Sequence, residues 1–234
     1  MNMYTENNGL KIDLKDYDAV RPYLALRLAN SIIHREIVSS CPSGDFLDLS
    51  TLACLHLDNG LWKEDEYHTF IINWDMFNNW GVSREQLLLD AGTNAPFILP
   101  PSLQTLEDTL ACAGISPDGY SPLEPADCVS SGLYVLTNRR GIYGASAILY
   151  PGLLEEIYQH LGAFYVLPCS IHEVIIAPDN EALTPSGLAE IVFHVNRDVL
   201  DMDDYLSDSV YYCGENGLCV QHQGVSCDSG VSSA

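Results

Sequence analysis

The stretch from Gly132 to Gln221 is cut into short apolar runs by turn residues and helix starts, and this punctuation demands a mixed helix-and-strand fold. Gly132 to Thr137 reads as a strand, Asn138-Arg139-Arg140-Gly141 as a turn, and Ile142 to Tyr150 as the returning strand of a hairpin. Pro151 stands at the favoured first position of a helix that runs to His160 and closes at Gly162. Phe164 to Leu167 and His172 to Ala177 are further strands. Thr184-Pro185 starts a helix to Arg197 whose Leu188, Ile191, Val192 and Val195 share one face. Ser209 to Cys213 and Leu218 to Gln221 form a last hairpin. Strands and helices mix without strict alternation, so the expected class is α+β, with mixed or antiparallel sheets, packed helices and two half-domains.

The first half is less regular. The spacing of Val20, Tyr23, Leu24, Leu28 and Ile32 predicts a helix over Ala19–Val38, capped by Asp18. Phe46 to Leu57 alternates as a strand, and Tyr67 to Asn73 is its hairpin partner beyond the polar turn 58–66. Ser83-Arg84-Glu85-Gln86 is a capping box, with Gln86 reaching back to Ser83, and the helix after it ends at Gly92. Trp74, Phe77 and Trp80 have helical spacing and read as core. The expected organisation is a flexible leader over residues 1–16, an N-terminal α+β half over 17–92, a Pro/Ser/Thr-rich connector over 93–130, a C-terminal α+β half over 131–222 and a disordered tail over 223–234.

Charge narrows the function classes. The chain carries 10 Lys and Arg against 32 Asp and Glu, a formal charge of −22, and no Lys or Arg occurs between Arg140 and Arg197. A nucleic-acid backbone or an anionic membrane needs clustered cations, so neither is an expected partner. No apolar run approaches the roughly 20 residues that span a bilayer. The polar start of the sequence lacks the basic and apolar regions of a signal peptide, which makes the cytoplasm the expected location.

Four clusters could carry chemistry. Cys169-Ser170-Ile171-His172-Glu173 holds a nucleophile, a base and a carboxylate, the parts of nucleophilic catalysis. In an extended chain, however, Cys169, Ile171 and Glu173 share one face and Ser170 and His172 the other. Asn138, Arg139 and Arg140 put two scarce cations on a turn, a candidate binding site for an anion or a partner. Cys213, Cys219, His222 and Cys227 are three thiols and an imidazole, a donor set that suits tetrahedral zinc. The expectation is no cofactor, with incidental thiols as the favoured reading and zinc as the one candidate, since there is no phosphate-binding or dinucleotide-binding glycine motif. The acidic run Asp201-Met202-Asp203-Asp204 lacks the glycine and distal glutamate of a calcium loop.

Several phrases carry a family likeness. They are Tyr134-Val135-Leu136-Thr137-Asn138, Tyr143-Gly144-Ala145, Leu167-Pro168-Cys169-Ser170-Ile171-His172-Glu173-Val174 and Leu206-Ser207-Asp208-Ser209-Val210-Tyr211. Together the chain resembles an uncharacterised family of unknown function from clostridial and related gut bacteria, over roughly residues 17–213. The resemblance implies a cytosolic bacterial protein and no particular activity. It also implies Ser as the usual residue at the position of Cys169, which weakens Cys169 as an obligatory nucleophile. The leading expectation is a non-enzymatic, acidic accessory module that binds another protein through the Asn138–Gly141 turn and the His172-Glu173 corner. The alternatives are a small hydrolase or ligand-binding enzyme centred on His172 and Glu173, and a DNA-mimic inhibitor from a mobile element.

Overall fold

A computed structural model describes residues 4–7, 10–57, 68–112, 132–180, 183–198 and 200–221. The chain divides into two compact units, residues 1–100 with 149–151, and residues 101–148 with 152–234. Both combine helices with antiparallel sheet, so the α+β class holds.

In the first unit, β1 (Tyr4–Asn7) and β2 (Leu10–Asp13) form a hairpin within the stretch expected to be a leader, and Ile12 is buried in the unit's core. The expected long helix over Ala19–Val38 is not formed. It is replaced by a single turn, α1 (Tyr17–Val20), capped by Asp16 rather than Asp18, a 3-10 turn over 21–23, the strand β3 (Leu24–Asn30), and α2 (Arg35–Ser39). The reason lies in burial. Leu24, Leu26 and Leu28 and the intervening Ala25 and Ala29 are all buried, so apolar residues fall at every spacing and a helical stripe can be read into a strand.

The expected strand Phe46–Leu57 is itself two strands. Leu47, at φ +54°, turns the chain between β4 (Gly44–Phe46) and β5 (Leu49–Leu57). β5 pairs with β3 on one side and with β4 and β6 (His68–Ile71) on the other; the β5–β6 hairpin is the expected one. Past β6 come α3 (Trp74–Phe77) and α4 (Arg84–Ile98). Ser83 caps α4 by accepting the Gln86 N–H at 3.1 Å, but the Gln86 side chain points forward to Asp90 instead of closing a capping box. The helix also runs through Gly92 rather than ending there. Leu87, Ala91 and Ala95 are buried, and Leu87 and Ala91 pack with Leu24, Leu26, Ala53 and Leu55, a contact that outweighs the roughly 1 kcal/mol helix penalty of glycine. Trp80 is buried and donates to the Leu14 carbonyl at 2.8 Å, whereas Trp74 is partly exposed.

The second unit is built on a six-stranded antiparallel sheet in the order β12-β11-β9-β10-β8-β7. Its strands are β7 (Pro101–Thr105), β8 (Tyr134–Asn138), β9 (Phe164–Leu167), β10 (Val174–Pro178), β11 (Tyr211–Gly214) and β12 (Gly217–Val220). β7 and the helix α5 (Leu106–Cys112) thus come from the stretch expected to be a connector. One face, with Tyr165, Leu167, Ile175 and Ala177, packs on Leu188 and Val192 of α7 (Pro185–Asp198). Over the other face, α6 (Leu153–Leu161) places Leu153 and Ile157 opposite Leu136 and Leu103 across a cavity of about 430 Å³. The expected returning strand Ile142–Tyr150 is not a strand. Asn138 donates its side-chain amide to the Ile142 carbonyl at 2.8 Å, Tyr143 takes φ +53°, and residues 144–149 wind into a buried 3-10 turn. The partners of β8 are β7 and β10 instead.

Candidate functional site

The candidate site grows from the loop that joins β9 to β10. Residues 168–173 must turn the chain between two antiparallel neighbours, and their backbone groups then need partners outside the sheet. Two distant segments supply them. Ser207 and Leu206 donate backbone N–H bonds to the Pro168 and Cys169 carbonyls, both at 2.9 Å, and Ile171 N–H reaches the Asp204 carbonyl at 2.9 Å. From the other side, Ala145 N–H donates to the Ile171 carbonyl at 3.3 Å and the Thr137 hydroxyl to the His172 carbonyl at 2.8 Å. Gly144 is required here. A Cβ at that position would lie 2.5 Å from the His172 carbonyl oxygen and 2.7 Å from the Asn138 nitrogen.

His172 is held at the centre. Its Nδ1 accepts the Tyr143 N–H at 3.2 Å, so the neutral ring carries its proton on Nε2, which lies 3.2 Å from Asp204 Oδ1. The Tyr143 ring stacks on the imidazole with centroids 5.6 Å apart. Ser170 Oγ accepts the backbone N–H of His172 at 3.0 Å. Both ring nitrogens are therefore engaged, and no hydrogen bond joins the ring to Ser170 Oγ or Cys169 Sγ. Cys169 is buried among apolar side chains. That burial, with the charges of Asp208 and Glu173, pushes its thiol up to about 12. It is protonated at neutral pH, and among the described residues no base is hydrogen-bonded to either nucleophile.

Glu173 differs from its neighbours. Burial raises its carboxyl above the usual range, Asp204 adds to the rise and His172 opposes it. Its carboxylate makes no hydrogen bond or ion pair with a described residue. Beneath the corner lies a cavity of about 370 Å³ whose wall includes Cys169, Ser170 and Glu173 together with Gly141 of the expected binding turn. The loop is bent rather than extended, so Ser170 joins Cys169 and Glu173 on this wall instead of facing away. Apolar walls come from Leu106 of α5, Val135 of β8, Ile175 of β10 and Val195 of α7.

The remaining expected site residues are dispersed. Asn138 is 1% exposed and bonded within its own turn, to Ile142 and to the Arg140 N–H, while Arg139 projects outward. Of the zinc set, Cys213 pairs with Leu218 and Cys219 with Tyr212, so the two cysteines sit at adjacent register positions and point to opposite faces of the β11–β12 hairpin. Cys219 is also disulfide-bonded, which removes it as a thiolate ligand. His222 and Cys227 lie outside the described residues. The sequence reading did not single out Asp204 as a partner of His172, nor Thr109, Val195 and Leu200 as cavity wall. Asp204 stood out only as one of an acidic run, and nothing local ties it to a histidine 32 residues away.

The phrases around this corner match a known family. A family model for DUF5688, described as a family of unknown function, covers residues 1–213. The chain belongs to that family. The match spans both units and takes in the β9–β10 corner, His172 and Asp204. Neither the curated proteins nor the solved structures contain a match to this DUF5688 chain.

Proposed function

We propose that this protein is a non-enzymatic binding module whose second unit takes a small, largely apolar ligand in the cavity beneath the His172 corner. One observation carries the reading: Cys169, Ser170, Glu173 and Gly141 converge on a single cavity of about 370 Å³ with apolar walls, the usual build of a small-molecule site. Binding is favoured over hydrolysis because both His172 nitrogens are engaged and Cys169 is a thiol. The test is a titration with the uncharged fluorophore N-phenyl-1-naphthylamine. Its fluorescence should rise with the wild-type protein and stay flat with Val195→Phe, which fills the cavity, while circular dichroism is unchanged. An equal rise with Val195→Phe, or none with either protein, overturns the reading.

A protein partner is the second reading, and an observation in the first unit favours it. Phe97 is 83% exposed and Leu89, two turns earlier on α4, is 63% exposed. An affinity capture that loses a stoichiometric protein when both residues become Ser would support it; a capture indifferent to the change would count against it. We place either role in the bacterial cytosol, which fractionation of native cells checks. The described residues contain no helix long and apolar enough to cross a membrane.

A further inference from the structure

The walls of the cavity also say what kind of ligand they suit, an inference that rests on the small-molecule reading above. Every described lining residue is apolar, glycine, a hydroxyl residue, Cys169 or Glu173. Among the described residues no Lys, Arg or His lines it, so an anionic ligand would find no counter-charge there. Thr109 and Thr137 already donate their hydroxyl protons, to the Thr105 and His172 carbonyls at 3.0 and 2.8 Å. Glu173 is the one acidic group among the described residues of the wall, and no described side chain is bonded to it. The described titratable groups that act on it are His172, Asp204 and Cys169. His172 accepts the Tyr143 N–H at Nδ1 and turns its Nε2 to Asp204 Oδ1, and Cys169 is a thiol. Among the described lining residues no cation stands beside the carboxylate and only the Ser170 hydroxyl proton is uncommitted, and a half-buried carboxylate without a bonded partner is costly.

We propose that the cavity binds an alkylammonium ligand, a short apolar body ending in a protonated amine, with the ammonium paired to the Glu173 carboxylate. The apolar body fills the space between Val135, Ile175, Val195 and Leu200. The ammonium supplies the donors that Glu173 lacks, a charge-assisted contact of the stronger kind. The net charge of −22 adds a long-range attraction for any cation.

The experiment compares three six-carbon probes, hexylamine, 1-hexanol and hexanoate, by methyl resonance shifts of full-length protein labelled at Leu and Val. The resonances of Val135, Leu167, Val195 and Leu200 report the cavity. Hexylamine should bind about tenfold more tightly than hexanol, and hexanoate most weakly. In Glu173→Gln the amine and the alcohol should bind alike. In Glu190→Gln, which removes an equal charge from the exposed side of α7, the preference should survive. Equal binding of amine and alcohol by the wild-type protein overturns the ligand class and leaves the cavity reading standing. So does a preference that survives Glu173→Gln or is lost in Glu190→Gln. If Glu173→Gln fails to fold, the wild-type ranking decides alone. If no probe moves these methyls, the cavity reading fails and takes the inference with it.

Discussion

The two units lay helix on sheet in opposite ways. In the first, α4 lies close on β3 because small residues face the sheet: Ala91 is fully buried, and a Cβ on Gly92 would come within 3.2 Å of Leu26 Cδ1. In the second, Leu188 and Val192 of α7 pack on the sheet, but gaps remain beside the helices: about 370 Å³ on the face of α5 and α7 and about 430 Å³ on the face of α6. Close packing maximises dispersion contacts, whereas a gap forfeits them. The comparison teaches that, among the described residues, the cavity proposed to take a ligand lies in the unit whose helix–sheet layer leaves gaps.

Substitutions sharpen that contrast, and the largest effect should come from the corner that roofs the cavity. Gly144→Val drives a side chain into the Thr137 hydroxyl and the His172 and Asn138 backbone. It should cost more than about 4 kcal/mol and leave little folded second unit, as read by urea denaturation. Next comes the direct comparison of layers. Leu87→Ala, in the close-packed first unit, should cost about 2–5 kcal/mol, while Val195→Ala, on a wall that already borders empty space, should cost about 1 kcal/mol or less. Equal losses would erase the distinction. Ser83→Ala removes the cap of α4 and should cost about 1 kcal/mol; a Ser83→Asp variant should restore it.

The smallest effect has a characteristic pH dependence. The Glu173 carboxyl is raised in the folded protein, so the folded state binds its proton more tightly than the unfolded state does. Its contribution to stability is therefore complete below the ordinary Glu range and is lost as pH rises through the raised value. Glu173→Gln should melt higher than the wild type at neutral pH and no higher at low pH. A difference that grows on acidification would contradict the burial of this group.

How much of this was legible in the sequence follows the same division. In the second unit, β9, β10, α6, α7 and the β11–β12 hairpin stand close to where apolar runs and turn residues put them. Each is short, and each is bounded by Gly, Pro or a capping residue. The 3-10 turn after Tyr143 was missed, because an apolar run is compatible with several backbones and Gly144 was needed for a contact 28 residues ahead. In the first unit β3 was misread as helix, since burial on both sides removes the alternation that marks a strand. At the site, the sequence offered Cys169, Ser170, His172 and Glu173 as one cluster. It could not show that Tyr143 and Asp204 would occupy both sides of the imidazole, because those contacts span 29 and 32 residues.

Those separations also set an order of assembly. The loop that roofs the cavity is fastened by residues 137–145 on one side and 204–207 on the other. During synthesis from the N-terminus, β8, β9 and β10 leave the ribosome before the segment that ties the loop down. Closing so long an interval is a late and entropically expensive step. The roof of the proposed site is thus fastened last, and a nascent chain ending before Asp204 would leave the Pro168 and Cys169 carbonyl groups without the partners that Ser207 and Leu206 give them.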